Sequence, residues 1–174
     1  SAPVLIAGET GSGKGWAAKL VHAASPRANG PFVSVNCAGL SATFLDSELF
    51  GHERGAYTDA KTRKLGLFEV AHGGTLMLDE IGDLAPELQP KLLTVLETQR
   101  FRRLGGTQEL QVDVRVIAAT HVDLAAAVRA GRFREDLFYR LNVFPIRVPA
   151  LRDRQEDIAE LVMYFIKLSA ERAR

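Results

Sequence analysis

The segment Gly8-Glu-Thr-Gly-Ser-Gly-Lys14 constrains the fold more than any other part of this 174-residue sequence. It matches the GxxxxGK pattern of a phosphate-binding loop, and it lies between the apolar run Val4–Ala7 and a helical pattern that begins near Lys14. Glycines let backbone N–H groups approach phosphate oxygens, and both the helix N-terminus and the Lys14 ammonium add positive charge. The pattern predicts nucleotide binding. The alternative is a glycine-rich turn from strand to helix that binds no ligand.

The loop departs from the usual pattern at Gly15, where Ser or Thr commonly supplies a hydroxyl ligand for Mg²⁺. Gly15 also weakens the first helical turn, by about 1 kcal/mol relative to Ala. This change bears on magnesium geometry and turnover rather than on phosphate binding. The residues predicted to contact ATP in this loop are Gly8, Glu9, Thr10, Gly11, Ser12, Gly13, Lys14 and Gly15.

Five short apolar runs separated by helical patterns predict an α/β fold, a three-layer sandwich around a parallel five-stranded sheet. The predicted strands are Val4–Ala7, Phe32–Val35, Thr75–Leu78, Val114–Ala118 and Phe144–Val148. The clearest helical patterns are Trp16–Ala24, Glu87–Gln99, Leu124–Ala130 and Asp157–Arg174. The polar, Gly-rich interval 45–67 predicts an insertion with its own role, and Gly105-Gly106 predicts the turn of a short hairpin.

Composition excludes several classes of protein. The net charge is +1, which does not indicate nucleic-acid binding by this segment. No apolar run reaches the roughly 18 residues of a membrane span. The single cysteine, Cys37, cannot form an internal disulfide, which favours a reducing cytosol. The first strand begins almost at once and the last helix has no C-cap, so we expect that both flanks of a longer protein have been removed.

Two adjacent acids, Asp79 and Glu80, close the third predicted strand. Ligands bind at the carboxyl edge of open α/β sheets, so we expect both side chains to lie near the phosphate loop. There Asp79 would hold Mg²⁺, directly or through water, and Glu80 would polarise an attacking water. The alternative is a strand end capped by solvated charge.

Six stretches in this order resemble the central AAA+ domain of bacterial enhancer-binding proteins, the NtrC-like activators of sigma-54 RNA polymerase. They are Gly8–Lys14, Phe32-Val-Ser-Val-Asn-Cys37, Ser47-Glu-Leu-Phe-Gly-His52, Gly55-Ala-Tyr-Thr-Asp-Ala60, Gly73-Gly-Thr-Leu-Met-Leu-Asp-Glu80 and Phe133-Arg-Glu-Asp-Leu-Phe-Tyr-Arg-Leu141. The resemblance implies a P-loop NTPase that uses ATP and Mg²⁺ and forms a ring, usually a hexamer. It also implies that this ring acts on the sigma-54 RNA polymerase holoenzyme in the bacterial cytoplasm. DNA binding would come only from another domain. It also implies that residues 1–150 form the nucleotide-binding subdomain and that 151–174 begin a helical lid.

The resemblance also assigns roles to polar residues at the strand ends. Asn36 matches the residue that hydrogen-bonds the catalytic glutamate until the γ-phosphate is sensed, and its alternative role is that of a turn residue at a strand end. Thr120 and His121 match the first sensor of the γ-phosphate. Asn is common at the position of His121 in relatives, and His is a familiar alternative there.

Arg134 and Arg140 match the arginines that reach into the neighbouring subunit's ATP site, where a guanidinium neutralises charge during phosphoryl transfer. Residues six apart on a helix lie about 240° apart around its axis. We therefore expect one of the two to precede the helix or to have another role. The alternative is a surface helix in which Asp136 pairs with Arg140.

The family's sigma-contacting loop reads Gly-Ala-Phe-Thr-Gly-Ala, and here the loop is Gly55, Ala56, Tyr57, Thr58, Asp59 and Ala60. Tyr57 keeps a large aromatic ring with a polar tip. Asp59 replaces Gly with a charged residue that reaches left-handed backbone only at a cost. Together with Gly15, this change leaves a second function open: a nucleotide-gated oligomerisation or binding module with weak turnover, or with another partner.

Overall fold

The computed structural model describes residues 2–58 and 60–172. The strands are β1 (Val4–Ala7), β2 (Phe32–Asn36), β3 (Gly51–His52), β4 (Lys64–Leu65), β5 (Thr75–Asp79), β6 (Arg100–Arg102), β7 (Glu109–Gln111), β8 (Arg115–Thr120) and β9 (Phe144–Arg147). The helices are α1 (Lys14–Ala23), α2 (Ala42–Phe50), α3 (Leu67–Val70), α4 (Gln89–Thr98), α5 (Leu124–Arg129), α6 (Glu135–Leu141) and α7 (Asp157–Arg172). Short 3₁₀ helices cover Ile81–Asp83, Pro86–Leu88 and Leu151–Asp153.

The central sheet has five strands in the order β2–β5–β8–β1–β9, and every neighbouring pair is parallel. The predicted parallel five-stranded sheet is confirmed. The register places Asn36 opposite Asp79 and Ala7 opposite Thr120. The carboxyl ends of β1, β2, β5 and β8 therefore meet at one edge of the sheet, next to the loop that follows β1.

Apolar side chains fill both faces of the sheet, as expected for strands covered on two sides. Leu76 and Leu78 of β5 belong to the larger core, which includes buried side chains of α2, α4, α5 and α6. Met77, between them in sequence, points to the other face and packs in a smaller core with Ile6 and with Ala18 of α1. This alternation confirms the three-layer arrangement.

Outside the central sheet, the interval 45–67 contains the end of α2, the two-stranded β3–β4 sheet and the intervening loop. The predicted hairpin is present, since β6 and β7 pair antiparallel with Arg102 opposite Glu109. Helix α4 begins at Gln89 rather than Glu87, because Pro86–Leu88 form a 3₁₀ turn first. In the part of the chain that the structure describes, no helix has the length and apolar character needed to cross a membrane.

Candidate nucleotide-binding site

The loop between β1 and α1 has a shape that depends on its glycines. Gly11 and Gly13 have φ angles of 81° and 97°, in the left-handed region that side chains disfavour. At Gly8 the constraint is space, since a Cβ atom would lie 2.7 Å from the Val148 carbonyl oxygen and 2.8 Å from Ser12 Oγ. The loop can therefore bring its backbone close to a bound group only with glycine at these positions.

The Lys14 ammonium is enclosed by the loop that precedes it. Its side chain is 6% exposed, and Nζ donates to the carbonyl oxygens of Gly8 at 3.1 Å and Glu9 at 3.2 Å. Ser12 Oγ, also in the loop, is buried and has no hydrogen-bond partner among residues 2–58 and 60–172. A fixed cation beside an unpaired buried hydroxyl fits a bound phosphate, because an isolated buried polar group is costly unless a ligand pairs with it.

The two predicted acids lie beside this loop. Asp79 ends β5, and its Oδ1 accepts a hydrogen bond from the Glu80 backbone N–H at 3.1 Å. Glu80 has left-handed backbone, with φ 52° and ψ 49°. Its carboxylate lies 3.6 Å from Lys14 Nζ. A non-glycine residue held in this conformation is uncommon and clusters at functional sites.

The Glu80 carboxylate also contacts His121, which follows β8. Oε2 accepts from His121 Nδ1 at 2.7 Å and from the His121 backbone N–H at 3.2 Å. Burial alone would raise the pKa of the Glu80 carboxyl, but the His121 hydrogen bonds and the Lys14 charge outweigh burial and hold that pKa below its ordinary value. Glu80 is therefore an ionised carboxylate at neutral pH.

The expected contact between Asn36 and Glu80 is not formed. Asn36 Oδ1 accepts from the Ala38 backbone N–H at 2.8 Å, which is the turn role considered as its alternative. Thr120 is buried, and its hydroxyl accepts from the Val122 backbone N–H at 3.0 Å rather than reaching Glu80. Of the polar residues at these strand ends, His121 is the one in contact with the Glu80 carboxylate in this structure.

A cavity of about 310 Å³ lies between the start of α1 and the ends of β2 and β5, and Gly15, Asn36 and Asp79 line part of it. Carboxylate and amide oxygens are hard ligands that suit Mg²⁺. A Cβ atom on Gly15 would meet nothing within 4 Å, so the missing hydroxyl leaves open space beside Asp79. The donor set fits a Mg²⁺ ion with fewer protein ligands than a Ser or Thr at position 15 would give.

The two arginines have different surroundings. Arg134 is the N-cap residue of α6 with extended backbone, so it precedes the helix as expected, and its half-exposed guanidinium donates to both oxygens of Asp136. Arg140 Nη2 donates to the Leu96 carbonyl oxygen at 2.9 Å. The alternative in which Asp136 pairs with Arg140 was wrong, because the Asp136 carboxylate accepts hydrogen bonds from Arg134 instead.

Two contacts at the loop were not found from the sequence. Arg152 pairs with Glu9, and Arg154 Nη2 donates to the Ser12 carbonyl oxygen at 2.5 Å. Beside them lies an apolar cavity of about 360 Å³, with Trp16 and Tyr164 in its wall. In the sequence these contacts are indicated only by two arginines, two positions apart, just before the last helix. No nearby sequence pattern predicts that they contact a loop about 140 residues earlier in the chain.

The loop 55–60 is closed by backbone hydrogen bonds, from Gly55 N–H to the Ala60 oxygen at 2.8 Å and from Ala60 N–H to the Tyr57 oxygen at 2.9 Å. The Tyr57 ring packs edge-on against buried His52, with centroids 5.1 Å apart. Asp59, the departure predicted to matter most here, lies outside the described residues.

The β6–β7 hairpin joins this region through Arg103, whose guanidinium is 4% exposed. Its Nη1 donates to Glu53 at 2.7 Å, and its Nε donates to Glu69 at 2.8 Å. The Glu53 N–H also donates to the Leu104 oxygen at 3.0 Å. The hairpin and the base of the loop 55–60 are therefore connected by charge-assisted and backbone hydrogen bonds.

Comparison with known proteins gives consistent relatives. The family model described as the sigma-54 interaction domain matches residues 1–147. Regulatory protein AtoC of Escherichia coli is 55% identical over 174 residues, which are 99% of this chain and 38% of AtoC. The crystal structure of NtrX from Brucella abortus in complex with ATP superposes with a TM-score of 0.89 at 48% identity, covering 99% of this chain and 39% of NtrX.

A more distant structure supports the fold alone. The P-loop NTPase domain of the sigma-54 transport activator from E. coli superposes with a TM-score of 0.56 at 21% identity, covering 86% of this chain and 84% of that one. The chain thus spans about two fifths of the length of the curated relative and of the NtrX structure, each of which is longer.

Proposed function

The chain belongs to the family of sigma-54 interaction domains, with the P-loop NTPase fold of the AAA+ class, and on that basis we propose that it binds and hydrolyses ATP to remodel sigma-54 RNA polymerase. The proposal includes a ring of identical subunits, with hexamer as the expected size, acting in the bacterial cytoplasm. DNA contact would be made by another domain of a longer protein.

One observation carries the enzymatic part of this proposal. The Lys14 ammonium and the ionised Glu80 carboxylate lie 3.6 Å apart at the edge of the sheet, beside a glycine loop with an unpaired buried hydroxyl. The cation supplies the charge that β- and γ-phosphates need, and the carboxylate supplies the group that orients and polarises a water. A purely structural strand end would need neither group to be buried so closely against the other.

The remaining residues complete the expected reaction. The loop Gly8–Gly15 would hold the phosphates through its backbone N–H groups, and Asp79 would hold Mg²⁺, which neutralises phosphate charge. Glu80 would accept a hydrogen bond from the attacking water. Arg134 and Arg140, both exposed, would supply positive charge to the ATP site of the next subunit. Arg134 would do so by leaving Asp136, and Arg140 by leaving the Leu96 carbonyl oxygen.

Three measurements test this function. The ATPase rate per subunit should rise steeply with protein concentration, since Arg134 or Arg140 would act across a subunit interface, and a rate independent of concentration would refute that role. Glu80→Gln should abolish turnover while ATP still binds. Binding is followed by the fluorescence of Trp16, the sole tryptophan, which borders the loop cavity.

The alternative, a nucleotide-gated binding module with weak turnover or another partner, is favoured by the open space at Gly15 and by Asp59 in the contact loop. Binding of sigma-54 in the presence of ADP and aluminium fluoride should be compared between the natural protein and Asp59→Gly. If only the Gly variant binds, the natural partner is a different protein. If both bind and hydrolyse ATP, the alternative is refuted.

A further inference from the structure

His52 is a buried histidine at the base of the loop 55–60, and its backbone is held on two sides. It pairs antiparallel with Lys64 of β4, and it forms a parallel bridge with Leu104, which follows β6. The Leu104 N–H donates to the Gly51 oxygen and the Glu53 N–H donates to the Leu104 oxygen, each at 3.0 Å. The backbone of His52 is therefore fixed where β3, β4 and the chain after β6 meet.

The imidazole ring of His52 is held as firmly as its backbone. Its Nδ1 forms a 2.8 Å hydrogen bond with Oγ of Ser47, a buried residue in the last turn of α2. The chain turns from α2 into β3 at Gly51, where φ is 73° and a Cβ atom would lie 2.5 Å from the Lys64 carbonyl oxygen. A buried ring with a hydrogen-bond partner and a fixed backbone gives a rigid surface for a neighbouring side chain.

The side chain that packs on this ring is Tyr57, the aromatic residue of the loop 55–60. The two ring centroids lie 5.1 Å apart and the ring planes are inclined by 70°, an edge-to-face arrangement. The hydrogen bonds between Gly55 and Ala60 and between Ala60 and Tyr57 fix the path of the loop backbone, but they leave the direction of the Tyr57 side chain open. Among the residues that the structure describes, His52 is the aromatic ring that Tyr57 contacts.

The contact with His52 leaves part of the Tyr57 ring free for a partner, since Tyr57 is 38% exposed. An aromatic side chain brings a large contact area to an interface, and one that is already oriented loses less conformational entropy on binding. We propose that His52 is the positioning residue that orients the Tyr57 ring for contact with sigma-54, and that it does so by ring packing. This inference rests on the proposed function, which assigns sigma-54 as the partner of this loop.

A double-mutant cycle in sigma-54 binding tests whether His52 acts through Tyr57. The dissociation constant of sigma-54 is measured in the presence of ADP and aluminium fluoride for the natural protein, His52→Leu, Tyr57→Leu and the double variant. Loss of an aromatic pair lowers the population of the oriented ring, so His52→Leu should weaken binding by roughly two- to tenfold. The same change in the Tyr57→Leu background should have no further effect, because the ring that His52 orients is absent there.

Two further variants separate ring packing from hydrogen bonding. The double variant His52→Phe/Ser47→Ala keeps an aromatic ring, and it removes the hydrogen bond without leaving a buried hydroxyl unpaired. His52→Asn keeps a polar amide and removes the ring. Sigma-54 binding should stay within about twofold of the natural protein in the first variant and fall by roughly two- to tenfold in the second. Urea unfolding shows which variants are folded, and His52→Asn replaces His52→Leu in the cycle if the Leu variant does not fold.

Proton NMR of the Tyr57 ring gives a readout that needs no partner. The neighbouring ring shifts the Tyr57 ring resonances, so this shift should be lost in His52→Leu and retained in His52→Phe/Ser47→Ala. The protein has three tyrosines, and the spectrum of Tyr57→Leu identifies the signals of Tyr57.

Three results would overturn the inference. They are an equal loss of binding from His52→Leu with and without Tyr57, natural affinity in His52→Asn, and unchanged Tyr57 ring resonances in His52→Leu. If the natural protein does not bind sigma-54, the proposed function itself fails. If it binds sigma-54 and the cycle shows no coupling, only the role of His52 fails.

Discussion

Arg103 provides the sharpest test of how the loop 55–60 is supported. Arg103→Met removes the buried guanidinium but keeps a long apolar side chain. It leaves Glu69, 16% exposed, and Glu53, 35% exposed, without their cationic partner. Burial raises the pKa of the Glu69 carboxyl, and the hydrogen bonds from Arg103 and from the Gly66 N–H outweigh burial and hold that pKa below its ordinary value, so Arg103 stabilises the charged carboxylate.

The expected loss of stability in Arg103→Met follows from the burial of its ion pairs. Removing one partner of a buried ion pair costs about 3–5 kcal/mol, and the partial exposure of Glu53 places this site near the lower limit, about 3 kcal/mol. For a domain of this size the melting temperature should fall by about 6–12 °C. The double variant Arg103→Met/Glu69→Gln should recover part of the loss, since it leaves one fewer uncompensated buried charge.

The assay is urea denaturation followed by circular dichroism, with the linear slope used to check two-state behaviour. Arg102→Met is the matched control, because Arg102 is the exposed neighbour in sequence, and its effect should stay within about 0.5 kcal/mol. A loss below about 1 kcal/mol in Arg103→Met, or a double variant no more stable than the single one, would refute the electrostatic role assigned to Arg103.

Three further predictions concern stability and chemistry. Gly15→Ala should raise the free energy of unfolding by about 0.5–1 kcal/mol, because position 15 is helical and a Cβ atom there meets nothing within 4 Å. Thermal unfolding measures this gain, and a lower stability in the Ala variant would show that the backbone freedom of glycine is needed. Cys37 should react slowly with iodoacetamide at neutral pH, because burial, and to a smaller extent the charges of Asp79, Asp83 and Glu80, raise the pKa of its thiol to about 12. Labelling that is as fast in the native protein as in the urea-unfolded protein would contradict this. Glu69 and Glu80 have pKa values in the folded protein below the ordinary 4.5, so their contribution to the stability of the fold is complete above pH 4.5 and is lost as pH falls through the folded values. Unfolding measurements from pH 7 to pH 3 should show this loss of stability, and Arg103→Met should show a smaller one.

The sequence predicted the sheet and the position of the site because both follow from short-range patterns. Buried strands read as apolar runs, and parallel pairing then forces their carboxyl ends to one edge. Glu80 and Lys14 lie 3.6 Å apart for this reason. Helical geometry likewise predicted that Arg134 and Arg140 could not point the same way from one regular helix, and Arg134 in fact precedes α6.

The partners of individual side chains could not be predicted in the same way. Asn36 and His121 end neighbouring segments of the same edge, and both have donors that suit a carboxylate. The local backbone decides whether Asn36 or His121 contacts Glu80. The Ala38 N–H donates to the Asn36 amide oxygen and so holds the Asn36 side chain in the turn after β2. Glu80 has left-handed backbone, and its carboxylate contacts His121. Such choices depend on a few backbone angles, which residue spacing does not encode.

Long-range contacts were missed for a different reason. Arg154 contacts the Ser12 carbonyl oxygen, and Arg103 contacts Glu53 and Glu69, but each arginine belongs to a segment that reads as an ordinary charged surface. An arginine side chain can be exposed or buried depending on whether an acceptor faces it, and the acceptors here lie far away along the chain. Only the tertiary structure brings them together.

The contacts at Lys14, Glu80 and His121 lead to one conclusion about the site as a whole. The Lys14 ammonium lies 3.6 Å from the Glu80 carboxylate, which also accepts from His121, and Lys14 donates to the loop carbonyls of Gly8 and Glu9. We therefore expect that a bound triphosphate would replace some of these partners of Lys14, and the loss of those contacts would offset part of its intrinsic affinity.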